Sequence, residues 1–218
     1  MTDWAADLVF TAVVLLVSVL VAKGGAARAG VRLVSVIFAG LLAMNYFEPL
    51  AQLLIRAAND ATIAERFGRV GCLVAVFALA VAVLRTVTNR LLPEPTELPP
   101  ILESVARWAL GVLTGCVTAA VLLTAVHTFP GPADFWGTFP PLPEQRAGPI
   151  MKTAPDYQWL GFTQHVSEHV FRSGEQGRVF DGPRLKIGNV DKDKRWASFP
   201  LRYAAWRQKL ETESNPRE

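Results

Sequence analysis

Apolar residues in the first part of the chain neither alternate nor keep to one helical face; they come in long runs separated by short polar joints. Trp4 to Ala22 holds Asp7 as its only charge, and Leu33 to Phe47 holds none. Val70 to Leu84 is uncharged between Arg69 and Arg85, and Trp108 to Val126 is uncharged again. At 1.5 Å per residue, runs of this length approach the roughly 30 Å hydrocarbon core of a bilayer. A soluble bundle needs a polar stripe of period 3.6 along each helix, and none of these runs shows one. The pattern predicts transmembrane helices over residues 4–22, 31–49, 69–86 and 106–127.

The joints carry their own signals. Leu50, Leu53, Leu54, Ala57 and Ala58 share one side of a helical wheel, while Gln52, Arg56, Asn59 and Asp60 take others, which predicts an interfacial helix between the second and third spans. Pro93, Pro95, Pro99 and Pro100 separate the third span from the fourth. Residues 130–155, rich in Pro and Gly, read as an extended linker of polyproline character. Residues 155–172 read as a helix, with Trp159, Phe162, Val166 and Val170 at three- and four-residue steps, and a last helix is expected over 201–211. The fold class is therefore all-α: a multi-pass transmembrane helix bundle of four spans in residues 1–130, then a Pro-rich linker and a small, partly helical soluble tail in 131–218.

Charge sharpens this division. Residues 1–129 hold nine of the 22 Lys and Arg and eight of the 19 Asp and Glu, leaving thirteen and eleven for the shorter remainder. The tail interleaves its signs, as in Asp191-Lys-Asp-Lys-Arg195, which argues against a nucleic-acid footprint. Lys23, Arg28, Arg32, Arg85, Arg90 and Arg107 border the first and third joints, against Arg56, Arg66 and Arg69 at the second. The positive-inside rule then puts the N-terminus and the tail outside the cytoplasm. Cys72 and Cys116 sit in apolar runs as small hydrophobes, so no disulfide framework or cysteine zinc site is expected. The N-terminal Met-Thr-Asp-Trp lacks the basic region of a secretory signal, so the first run is expected to be retained.

Few residues suggest chemistry. Gly111, Gly115 and Ala119 make a strip of small residues at four-residue steps, where helix backbones can approach closely, and Ala39 with Ala43 and Ala78 with Ala82 repeat the spacing. Asp7 is a candidate intramembrane or interfacial acid; one turn from the start of its span, it is expected to be interfacial and solvated. His165-Val-Ser-Glu-His169 matches the H-x-x-E-H pattern of inverted zinc proteases, with two imidazoles on one helical face and Glu168 as base. A third zinc ligand is not evident, so the favoured reading is a polar helix face. No nucleophile triad, Walker loop or dinucleotide fingerprint is present. No catalytic residue, cofactor or metal is expected.

Three local features give a resemblance to a known family. An aromatic residue precedes an acid at the head of the first span, Trp4-Ala-Ala-Asp7, and a small, basic stretch, Gly24-Gly-Ala-Ala-Arg-Ala-Gly-Val-Arg32, leads into the second. In the fourth, Glu103 precedes Gly111 and Gly115 at four-residue steps, with Arg107 where a further glycine would be expected. Residues 1–128 thereby resemble the CvpA family, the colicin V production proteins, small bacterial inner-membrane proteins of four predicted spans. In the tail, Trp159-Leu-Gly-Phe162, Phe180-Asp181 and Arg202-Tyr203-Ala204 are similar to the extended tails of some bacterial members. The resemblance implies involvement in colicin V or toxin production or export and in envelope maintenance, and the leading expectation is a non-enzymatic, structural or accessory role in the bacterial cytoplasmic membrane. Expected partners are the lipid bilayer, membrane or envelope proteins, and a second copy of the chain. The rival readings are a small transporter or channel using Asp7 and span hydroxyls, and a membrane-tethered zinc hydrolase built on His165, Glu168 and His169.

Overall fold

The structure, a computed structural model, describes residues 4–58, 61–91, 99–132, 135, 137–169, 180, 185–186, 195–196 and 198–214. Four helices dominate it: α1 (Ala5–Ala22), α2 (Ala26–Ala57), α3 (Ala61–Leu91) and α4 (Pro100–His127). Each is long and apolar enough to cross a membrane, and the chain is a multi-pass helical membrane protein. Short helices α5 (Pro149–Lys152), α6 (Pro155–His169) and α7 (Ser198–Ser214) follow. Strands β1 (Leu185–Lys186) and β2 (Arg195–Trp196) form a two-residue antiparallel ladder that does not alter the helical class. The chain divides into two compact units, residues 8–122 and residues 1–7 with 123–218.

In the first unit α2 and α3 form a long antiparallel hairpin. The buried side of α2 runs through Ala29, Val36, Ala39, Ala43, Phe47 and Ala51, steps of three, four and seven that hold one helical face. Leu73 and Phe77 are buried from α3. Ala39 and Ala43 lie on this face, whereas Ala78 and Ala82 are exposed. The expected break after the second span does not occur: Pro49 lies inside α2, and the residues assigned to a separate interfacial helix continue it. Proline removes its own N–H bond and crowds the carbonyl four residues back, yet the helix and its packing persist beyond it, where Leu54 and Ile55 lie near Gly68 of α3.

The same unit joins α1 to α2 by a tight reversal. Arg32 reaches back from α2 and donates to the carbonyls of Leu20 and Val21 at 3.1 and 2.9 Å, a cation at the negative end of α1, where the Val21 carbonyl also accepts from the Gly24 N–H. Glu103 of α4 accepts from the Ala26 N–H at 2.6 Å, capping the start of α2. Gly25 stands at this corner with φ of 82°, a backbone conformation suited to glycine.

Candidate functional site: a buried charge cluster

The second unit is organised around charges removed from water. The Pro/Gly-rich stretch after α4 is not an extended linker. It contains a 3-10 turn at Pro143–Gln145 and α5, and it buries Phe139, Pro143, Arg146, Met151 and Ala154. Gly148 and Ala154 take positive φ values of 86° and 52°, reversing the chain on either side of α5. The strap thus delivers Arg146 from one side while α6 delivers Asp156 from its first turn.

Both oxygens of the Asp156 carboxylate are used. Arg146 donates through Nη1 to Oδ1 at 2.6 Å and through Nη2 to Oδ2 at 2.8 Å, the bidentate geometry for which guanidinium is suited. His127, the last residue of α4, places Nε2 2.8 Å from Oδ2, and all three side chains are fully buried. Since the carboxylate can only accept, Nε2 carries the imidazole proton. Arg146 also donates through Nε to the Pro140 carbonyl at 3.0 Å, with its guanidinium 4.3 Å from the Phe139 ring centroid. Tyr157 donates to the Pro141 carbonyl at 2.8 Å. Arg207 of α7 donates to the His127 carbonyl, closing the last turn of α4, and stacks over Phe135. Burial by itself would raise the Asp156 pKa. The bonds from Arg146 and His127 outweigh it and hold the carboxyl well below the usual carboxylate range.

A His–Asp pair invites comparison with a catalytic relay. The remaining ring nitrogen of His127, Nδ1, has no hydrogen-bond partner, and the ring is fully buried. A general base needs its proton donor within hydrogen-bond reach, so the geometry here suits holding more than proton transfer. No family model, curated protein or solved structure matches this chain.

Asp7 belongs to the same unit, and it is not solvated. It is 5% exposed and accepts from the N–H groups of Ile150 and Met151 at 3.1 and 2.9 Å. The first turn of α1 is thereby fastened to α5. A Cβ on Gly148 would lie 2.7 Å from the Asp7 carboxyl carbon, so only glycine fits there. Asp7→Asn exchanges one accepting oxygen for a donor facing an N–H, and should cost about 1–3 kcal/mol of stability. Gly148→Ala should cost at least as much, through the clash and the strained φ. Thermal unfolding in detergent checks both, and wild-type melting of either variant would refute the anchor.

Gly111 and Gly115 lie against α1. A Cβ at Gly115 would come 2.6 Å from the Val14 carbonyl oxygen, and one at Gly111 3.0 Å from that of Ser18. Ala119 is buried on the same strip. Val14 with Gly115 and Ser18 with Gly111 keep one antiparallel register between α1 and α4.

The histidine motif lies at the end of α6. His165 and His169 stack with ring centroids 4.3 Å apart, His169 Nδ1 meets the His165 carbonyl at 2.9 Å, and Glu168 accepts from Gln164. No group of three possible metal ligands occurs among the described residues. The buried face of α6 keeps only part of the expected one: Trp159 is buried, but Asp156, Leu160, Thr163 and Ser167 are buried beside it, while Phe162 is 43% exposed. Asp156 must turn inward to meet Arg146 and His127, and this rotates the helix away from the face marked by Phe162 and Val166. Val170 lies outside the described residues.

The sequence does not announce the cluster, because His127 and Arg207 lie 29 and 51 residues from Asp156 along the chain. Its local signals are slight: an aspartate after Pro155 at a helix start, and one arginine within a proline-rich stretch.

Proposed function

We propose that this chain is a non-enzymatic protein of the bacterial cytoplasmic membrane, accessory to the production or export of a colicin-like toxin and to envelope maintenance. The observation that carries the reading is the use made of buried charge. Asp7 ties the first turn of α1 to α5, and Asp156 with Arg207 ties the last turn of α4 to α6 and α7. A tail secured at both places is a preorganised platform for another membrane or envelope protein, because ordering costs are met before binding. The small-residue strip of α4 and the Glu103 cap, two features behind the resemblance to the colicin V production proteins, support the same reading. Positive-inside bias supports a platform outside the cytoplasm.

A strain lacking the chain tests this. Full-length protein should restore toxin export and resistance to detergent stress. A version ending at residue 130, present in the membrane at equal level, should restore neither. Full restoration by the truncated version would refute the platform role, and specific solute flux in liposomes containing the purified chain would replace it with transport.

A further inference from the structure

One feature of the membrane unit has no part in the tail cluster. Near the N-terminal end of α2 and the C-terminal end of α3, an open groove of about 430 Å³ lies between the two helices. Ala27, Val34, Ser35 and Phe38 line it from α2, and Leu84 and Thr88 from α3. Its hydroxyls are internally satisfied: Ser35 donates to the Val31 carbonyl at 2.8 Å and Thr88 to that of Leu84 at 2.7 Å, so the groove presents an apolar wall. Between Ala27 and Phe38 it follows α2 for about 16 Å, half the roughly 30 Å hydrocarbon core and so the depth of one leaflet.

Positive charge gathers at the same end of this hairpin. Arg28 and Arg32 belong to α2 within the groove's span, one turn apart, and Arg85 of α3 adjoins Leu84, which lines it. Arg32 is committed to the α1 carbonyls, whereas Arg28 and Arg85 are exposed and pair with no acid among the described residues. The nearby acid, Glu103, is engaged by the start of α2. Like charges held together favour an anion between them, and basic sites between transmembrane helices suit lipid phosphates.

We propose that this groove binds one anionic glycerophospholipid, with its phosphate on Arg28 and Arg85 and one acyl chain between α2 and α3. Chain and headgroup are recognised together, which separates this site from ordinary annular contact. The full chain, reconstituted in bilayers of equal parts phosphatidylglycerol and phosphatidylcholine and released for native mass spectrometry, should retain phosphatidylglycerol preferentially. Arg28→Gln and Arg85→Gln should each lower that preference about five-fold. Val34→Trp, which fills the groove from an exposed position and leaves the arginines in place, should lower total retained lipid. Arg66→Gln, at the other end of α3, should change neither. Undiminished preference in the Arg28→Gln/Arg85→Gln double variant, equal retention of both lipids by the wild type, or an equal loss in Arg66→Gln would overturn the proposal.

Discussion

Asp156→Ala should destabilise the tail unit by about 3–5 kcal/mol, since it leaves the Arg146 guanidinium buried without its counter-charge. The aspartate has no exposed alternative: Arg146 and His127 occupy both its oxygens, and all three side chains are fully buried. Asp156→Asn keeps the shape but not the charge and should fall between wild type and alanine. The pH dependence has a definite sign. The folded Asp156 pKa lies below the unfolded value of about 3.9, so its contribution is complete well above that value and is lost as pH falls through it toward the folded pKa. Thermal unfolding in detergent should therefore show wild type losing stability on acidification from about pH 5 to pH 3, and Asp156→Asn losing less. Equal slopes for the two proteins would show that the carboxylate is not the acid-sensitive group.

Gly115→Leu should separate α4 from α1. The atoms a Cβ would meet, the Val14 carbonyl oxygen at 2.6 Å and Cα at 3.0 Å, are backbone and cannot rotate away. Overpacking of this kind costs about 1–3 kcal/mol for one added methyl, and a leucine side chain adds more. Val112→Leu is the control, since Val112 is 44% exposed and its change should stay within about 0.5 kcal/mol. Similar melting of the two variants would reject the close approach of α1 and α4 at this strip.

These two sites differ in how far the sequence announces them. The spans are legible because each is an uncharged run bounded by polar joints, and glycines four residues apart mark one helix face without reference to any partner. The partner is not legible: nothing in the spacing of Gly111 and Gly115 points to Val14 and Ser18. The sidedness of residues 50–58 misleads because an amphipathic face marks a helix without saying where it begins, and here α2 simply continues through it, with Leu54 and Ile55 packed near Gly68. His127 reads as an interfacial anchor from its place at the end of an apolar run. Its burial depends on Asp156, 29 residues on, and on Arg207, 80 residues on, pairings that no local pattern encodes. Apolar periodicity marks the buried face of α6 only in part, at Trp159, because the charge pair at Asp156 turns Phe162 outward.

The proposed orientation, four spans with both ends outside the cytoplasm, would put residue 23 and residue 208 on opposite sides of the membrane. With Cys72 and Cys116 replaced by serine, single cysteines at Lys23 and Gln208, both exposed in the structure, report the two sides to a membrane-impermeant maleimide in intact spheroplasts. Gln208→Cys should label before permeabilisation and Lys23→Cys only after it. Labelling of Lys23→Cys alone would invert the orientation, and equal labelling of both sites in intact spheroplasts would contradict the four-span arrangement.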